Sequence, residues 1–162
     1  MVTLRVRNES CRKRLYRSDA LSRIAGRVCK GEGLRKRVEI SLLLCDDAMM
    51  KVLNKKYRNK NASTDVLSFE QPELPSQKLR ALGDIVISLQ TVEHNCGGDR
   101  ALMRGEIALL FCHGLLHLLG YDHHTACERR EMTSRQAAYL EIPDSAAWNF
   151  GPKKPIYRES RN

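Results

Sequence analysis

The alternation of apolar and polar residues changes period several times along this chain, and each change marks an element. Val2, Leu4 and Val6 alternate with Thr3, Arg5 and Arg7, the period of two of a half-buried strand, which predicts a first strand over residues 2–7. After a basic, irregular connection, Ser18 is followed by Leu21, Ile24, Ala25 and Val28 at helical spacing, and Gly31 and Gly33 mark the helix end. Val38 to Cys45 is almost continuously apolar and rich in β-branched residues and leucine, which predicts a central strand covered on both sides. Asp46 or Asp47 is placed to cap a second helix, with Ala48, Val52, Leu53 and Tyr57 on one face and Lys51, Lys55 and Lys56 on the other. That helix ends near Arg58.

The polar, basic stretch from Arg58 to Asp65 reads as a loop feeding a short strand, Val66 to Phe69. Loops at strand entrances often hold binding residues. Pro72 and Pro75 interrupt the chain, residues 78–81 carry no clear period, and Gly83 to Ser88 reads as another strand. Ser88 opens a short helix through His94. Gly97 and Gly98 precede a long helical run from Ala101 to Leu119, apolar on nearly every side toward its end and therefore expected to be buried. A last helix over residues 127–140 carries Glu128, Arg129, Arg130, Glu131 and Arg135 on a solvated face. One domain over residues 1–142 is expected, followed by a basic, poorly ordered tail over residues 143–162 that contains Pro143, Pro152, Lys153, Lys154, Arg158 and Arg161.

Composition narrows the class. A chain of 162 residues is long enough for one domain with a real core and short for two. Its 42% hydrophobic and 29% charged residues are those of a soluble globular protein, and no apolar run reaches the roughly eighteen residues of a membrane span. The formal charge of +9 attracts polyanions, with nucleic acid first among them. Cys11, Cys29, Cys45, Cys96, Cys112 and Cys127 are scattered, with no C-x-x-C pair. Together with the lack of a leader-like apolar start, this points to free thiols in a reducing cytoplasm.

The candidate chemistry is concentrated in His113-Gly114-Leu115-Leu116-His117-Leu118-Leu119-Gly120-Tyr121-Asp122-His123, which holds three of the five histidines. On a helix His113 and His117 share one face. Gly120 can take the left-handed conformation that turns the chain back, and His123 then returns as a third nitrogen. Three imidazoles with a fourth position for water are a recurring catalytic zinc site, although the same donors accept nickel, copper or iron. A single histidine near the end of a leucine-rich helix is ordinarily a core or capping residue; three at this spacing favour a metal. The spacing is that of the metzincin peptidases except that Gly114 replaces their glutamate, the proton carrier for peptide hydrolysis. Cys112 points about 100° away from His113 on a helix and reads as a buried hydrophobe.

The segments Leu53 to Arg58, Thr64 to Phe69, Leu82 to Ile85 and His113 to His123 resemble, in order and spacing, the signature blocks of the YbeY family of metal-dependent endoribonucleases. The resemblance covers roughly residues 2–140 and leaves the tail unaccounted for. It implies a compact α+β fold, a small mixed sheet flanked by helices, with one zinc ion held by His113, His117 and His123, and single-strand-specific RNA cleavage in small-subunit rRNA 3′-end maturation and ribosome quality control. It also implies a role for Arg58 across a basic cleft from the metal; from the residues alone Arg58 is a solvated loop charge. Gly114 matches the family, and His124 has no place in its pattern. Asp122 is positioned either to orient an imidazole or to cap the turn, and Thr64, Asp65 and Ser68 either to line the cleft or to pin the loop. The general base has no candidate. Two other classes stand beside the nuclease. One is a ribosome-binding assembly factor with structural zinc; the other is a metallopeptidase-like hydrolase, for which Met132 is the nearest methionine for a turn beneath the metal.

Overall fold

The computed structural model describes residues 1–13, 15–73 and 78–152. Its elements run β1 (Val2–Asn8), α1 (Ser18–Gly31), β2 (Arg37–Cys45), α2 (Asp47–Arg58), β3 (Val66–Glu70), β4 (Leu79–Ser88), α3 (Leu89–Asn95), α4 (Arg100–Leu118), α5 (Ala126–Leu140) and α6 (Asp144–Ala147). The four strands form one sheet in the order β1-β2-β4-β3. β1 and β4 both run parallel to β2, while β3 pairs antiparallel with β4. This is the expected α+β architecture with a small mixed sheet.

Side chains alternate across a strand, so each strand divides between two layers. Ile40, Leu42 and Leu44 of β2 and Leu82, Ile85 and Ile87 of β4 join α1 and α4 in the main core. Their neighbours Leu43, Cys45 and Val86 turn the other way and meet Leu67, Phe69, Met50 and Leu53 in a smaller cluster under α2. β2 is central, as its apolarity predicts, but it is not equally covered on both faces: Val38, Ile40, Leu42 and Leu44 are buried while Glu39, Ser41 and Leu43 are half-exposed. One helix of twelve residues is too narrow to roof a four-stranded sheet.

β4 begins earlier than the periodicity indicated. Residues 79–81 pair with β2, the register running from Arg37 opposite Leu79 and skipping Leu82 at a bulge before Gly83 pairs with Ile40. Neither aspartate caps α2 with its side chain. Asp46 instead accepts from the Cys11 N–H and pairs with Arg12, and Asp47 accepts from Ser63, Ser88 and Thr91. α5 starts at a capping box in which Thr125 and Glu128 exchange side-chain and backbone bonds. The segment expected to open a poorly ordered tail contains α6, whose Ala147 is fully buried, followed by Trp148 and Phe150 packed against the core. Pro75 and the basic residues from Lys153 onward lie outside the described residues.

α4 runs through the middle of the core, with twelve of its nineteen residues buried. It has the length and apolarity of a membrane span, yet those properties serve burial inside the protein. It lies very close to the sheet. A Cβ at Gly114 would stand 2.9 Å from Ser68 Oγ on β3 and 3.0 Å from Ile85 Cγ2 on β4, inside ordinary contact distance. Glycine is therefore required at 114 by the approach of helix to sheet. Gly114→Ala is expected to cost about 1–3 kcal/mol of stability through overpacking, measured by chemical denaturation. Adding Ser68→Gly should recover part of that loss.

Candidate metal centre

The local sequence explains how three imidazoles meet. His113 and His117 sit one turn apart on α4 with their Nε2 atoms 3.1 Å from each other. The helix then stops in a Schellman arrangement: the Gly120 N–H bonds to the His117 carbonyl and the Tyr121 N–H to that of Leu116. Gly120 has φ +89°, a conformation that favours glycine. The reversal brings His123 back over the helix end, and one ligand atom from each histidine lies within 4.8 Å of the others. The ring centroids are 4.6, 5.1 and 5.3 Å apart.

Burial sets the protonation of this cluster. His113 is 7% exposed, and loss of hydration pushes its pKa down to about 3. Burial likewise lowers His117, with neighbouring His123 and, as the smallest contribution, Arg58 acting in the same direction. These two rings are neutral at physiological pH and offer lone pairs, the state a metal requires. The donors thus fit a metal ion on their own chemistry: three nitrogens, one focus and side chains held by a helix and a tight turn.

Most of the flanking residues have structural partners. Asp122 accepts from the His123 N–H at 2.8 Å and pairs with exposed His124 at 2.8 Å, so it pins the turn and contacts no side chain of the triad. Cys112 is fully buried, away from the cluster, and burial raises its thiol to about 12. None of the six cysteines is in a disulfide. Met132 lies within α5 and belongs to the core, with no turn around it. Ser68 faces Gly114, so any side chain at 114, the glutamate of a peptidase included, would crowd its hydroxyl.

Arg58 is the last residue of α2 and is exposed. α2 covers the far face of the sheet, but its end reaches the β3 edge, where the Tyr57 and Phe69 rings are 4.9 Å apart. From there the Arg58 charge acts on His117. Asn59 adopts a left-handed cap, and buried Asn54 donates to the Ala62 carbonyl at 2.8 Å. Ser63 is bound to Asp47, and the Asp65 side chain accepts from the Val66 N–H and the Thr64 hydroxyl. Thr64 and Asp65 are thus pins for the loop.

Sequence reasoning gave no role to the wall on the other side of the cluster. The Trp148 ring lies 5.2 Å from that of His123 and 5.7 Å from that of His113, and Phe150 lies 4.8 Å from His113. Arg129 sits over Trp148. Buried Gln136 joins this segment to His113.

Fold and donor set together define an α+β protein with a three-histidine centre able to hold one metal ion. The family model described as endoribonuclease YbeY matches residues 5–142. Endoribonuclease YbeY of Pelotomaculum thermopropionicum is 42% identical over 124 residues, covering 74% of this chain and 82% of that one. The protein of the same name from Moorella thermoacetica is 42% identical over 128 residues, with the same coverage of each. A Thermotoga maritima protein whose structure was determined in solution aligns with a TM-score of 0.58 at 26% identity, over 90% of this chain and 89% of that one. The chain belongs to the YbeY family of endoribonucleases.

The depressed pKa of His113 makes stability depend on pH. As pH falls below the ordinary histidine value of about 6.5, the unfolded chain takes up a proton that folded His113 refuses until about pH 3. Metal-free protein should lose stability across that window, seen as a falling urea midpoint. His113→Leu should flatten this part of the profile; an unchanged slope would assign the effect to other groups.

Proposed function

We propose that this protein is a zinc-dependent endoribonuclease that cleaves single-stranded RNA during rRNA maturation, with Arg58 as a catalytic residue. The observation that carries the reading is the convergence of three histidines, two of them held neutral, within reach of the charge of an exposed arginine. Family membership supports RNA as substrate and rRNA processing as setting. The net charge of +9 suits a polyanion.

Bound by His113, His117 and His123, zinc would supply Lewis acidity toward water and a phosphoryl oxygen. The chain's own residues do the rest. α4 and the Gly120 turn hold the three nitrogens in place, so little reorganisation is needed. The Arg58 guanidinium presents two N–H groups in one plane and can grip two phosphoryl oxygens as negative charge develops there. The pinned loop from Asn59 to Asp65 keeps that side chain at the β3 edge. Gly114 supplies no proton acceptor, which sets this chemistry apart from peptide hydrolysis. Six cysteines outside any disulfide suit a cytoplasmic setting, and small-subunit 3′-end processing, ribosome quality control and contact with the ribosome or its assembly factors follow as extensions of the same reading.

The test uses purified protein made without a nickel column, given single-stranded RNA, double-stranded RNA or casein. Cleavage of the single-stranded RNA alone, abolished by a chelator and by His117→Ala, is expected. RNA binding without cleavage would instead favour an assembly factor with structural zinc. Arg58→Lys should keep fold and metal content while lowering cleavage roughly 10- to 100-fold, because lysine keeps the charge but lacks the planar fork that grips two oxygens, a smaller loss than removing a preorganised donor outright. Unchanged turnover would remove Arg58 from the mechanism.

A further inference from the structure

Gln136 on α5 is fully buried and has two partners. Its Oε1 lies 2.7 Å from His113 Nδ1, and its Nε2 donates to the Ala147 carbonyl. Hydrogen-bond chemistry leaves no freedom in this arrangement. A backbone carbonyl only accepts, so the amide nitrogen must face Ala147. The amide oxygen, which also only accepts, is then left facing His113, and His113 must donate. Nδ1 therefore carries the proton. In a neutral imidazole the other nitrogen is then bare, and that atom is the Nε2 lying 3.1 Å from His117 Nε2, where the donors converge.

We propose that Gln136 is a positioning residue for the metal: it locks His113 in the Nδ1–H tautomer, aims its Nε2 lone pair at the shared focus, and ties that ring to the C-terminal segment. The inference rests on the reading of the three histidines as a metal site. Ala147 closes the short helix α6, where carbonyls lack partners within the helix, so the Gln136 amide satisfies one of them while orienting the imidazole. Trp148 follows at once, and its ring, with that of Phe150, packs on the histidines. One side chain thus sets both a ligand and the wall beside it. If it only satisfied two buried groups, its loss would lower stability without changing the tautomer or the affinity of folded molecules.

The test reads the His113 tautomer in metal-free, 15N-labelled full-length protein at neutral pH, and Zn2+ affinity by competition with a chromophoric chelator. Wild type should show Nδ1–H at His113. Gln136→Met, of similar length but without a hydrogen bond, should mix in the Nε2–H form and weaken Zn2+ binding roughly 10- to 100-fold, the usual cost of removing an outer partner of a metal ligand. Gln136→Glu keeps an acceptor toward Nδ1 in either protonation state and should hold both the tautomer and the affinity within a few-fold of wild type. The proposal is overturned by Nε2–H at His113 in wild type, a result that needs no variant to fold, or by folded Gln136→Met binding Zn2+ as tightly as wild type. Wild type that binds no Zn2+ overturns the metal reading itself, and the tautomer spectrum tells that failure apart from a failure of the Gln136 assignment.

Discussion

Everything at the candidate site follows from how closely α4 lies on the sheet. Gly114 removes the one Cβ that would hold the helix away from Ser68 and Ile85. The helix can then sink into the core, and its histidines are presented from inside the protein. Burial costs an imidazole most in its charged form, so a ring fixed here is neutral long before anything binds it. The close approach that would crowd a glutamate at 114 thus also prepares His113 as a donor. In the peptidases that share this spacing the position serves proton transfer; in this fold it serves contact between helix and sheet.

The site draws on parts that do not belong to one layer. α4 and its terminal turn give the histidines, while α2 ends at the β3 edge with Arg58, whose charge acts on His117. The loop between α2 and β3 spans the two layers. Its bonds to Asn54, Asp47 and Asp65 come from short polar side chains close in sequence or packed alongside. A cation in the last turn of α2 is also favourable to that helix, where unpaired carbonyls concentrate negative charge. Arg58 is therefore consistent with local stability as well as with phosphate recognition.

Features encoded by short-range spacing were legible in the sequence. The leucines around His113 and His117 announce a buried helix, Gly120 its end, and the period of two in β1 a half-buried strand. Features that depend on distant partners were not. Residues 79–81 are a strand because β2 pairs with them, while Leu79 itself is exposed and leaves no regular pattern. Asp46 looks like a helix cap until Arg12 and the Cys11 N–H claim its carboxylate. α6, Trp148 and Phe150 follow a proline in a segment with no periodicity, and only the packing of α5 gives them a place. Gln136 reads as one polar residue on a solvated helix, though it faces inward. The capping box at Thr125 and Glu128 was a local signal that marks the start of α5 two residues before its apolar pattern begins.

The match to the family model ends at residue 142, whereas the aromatic wall begins at Trp148. The three nitrogens and the surface that borders them are thus written in different parts of the gene. Gln136 joins the two, so a substitution that shifted Ala147 or Trp148 would also act on the His113 ring.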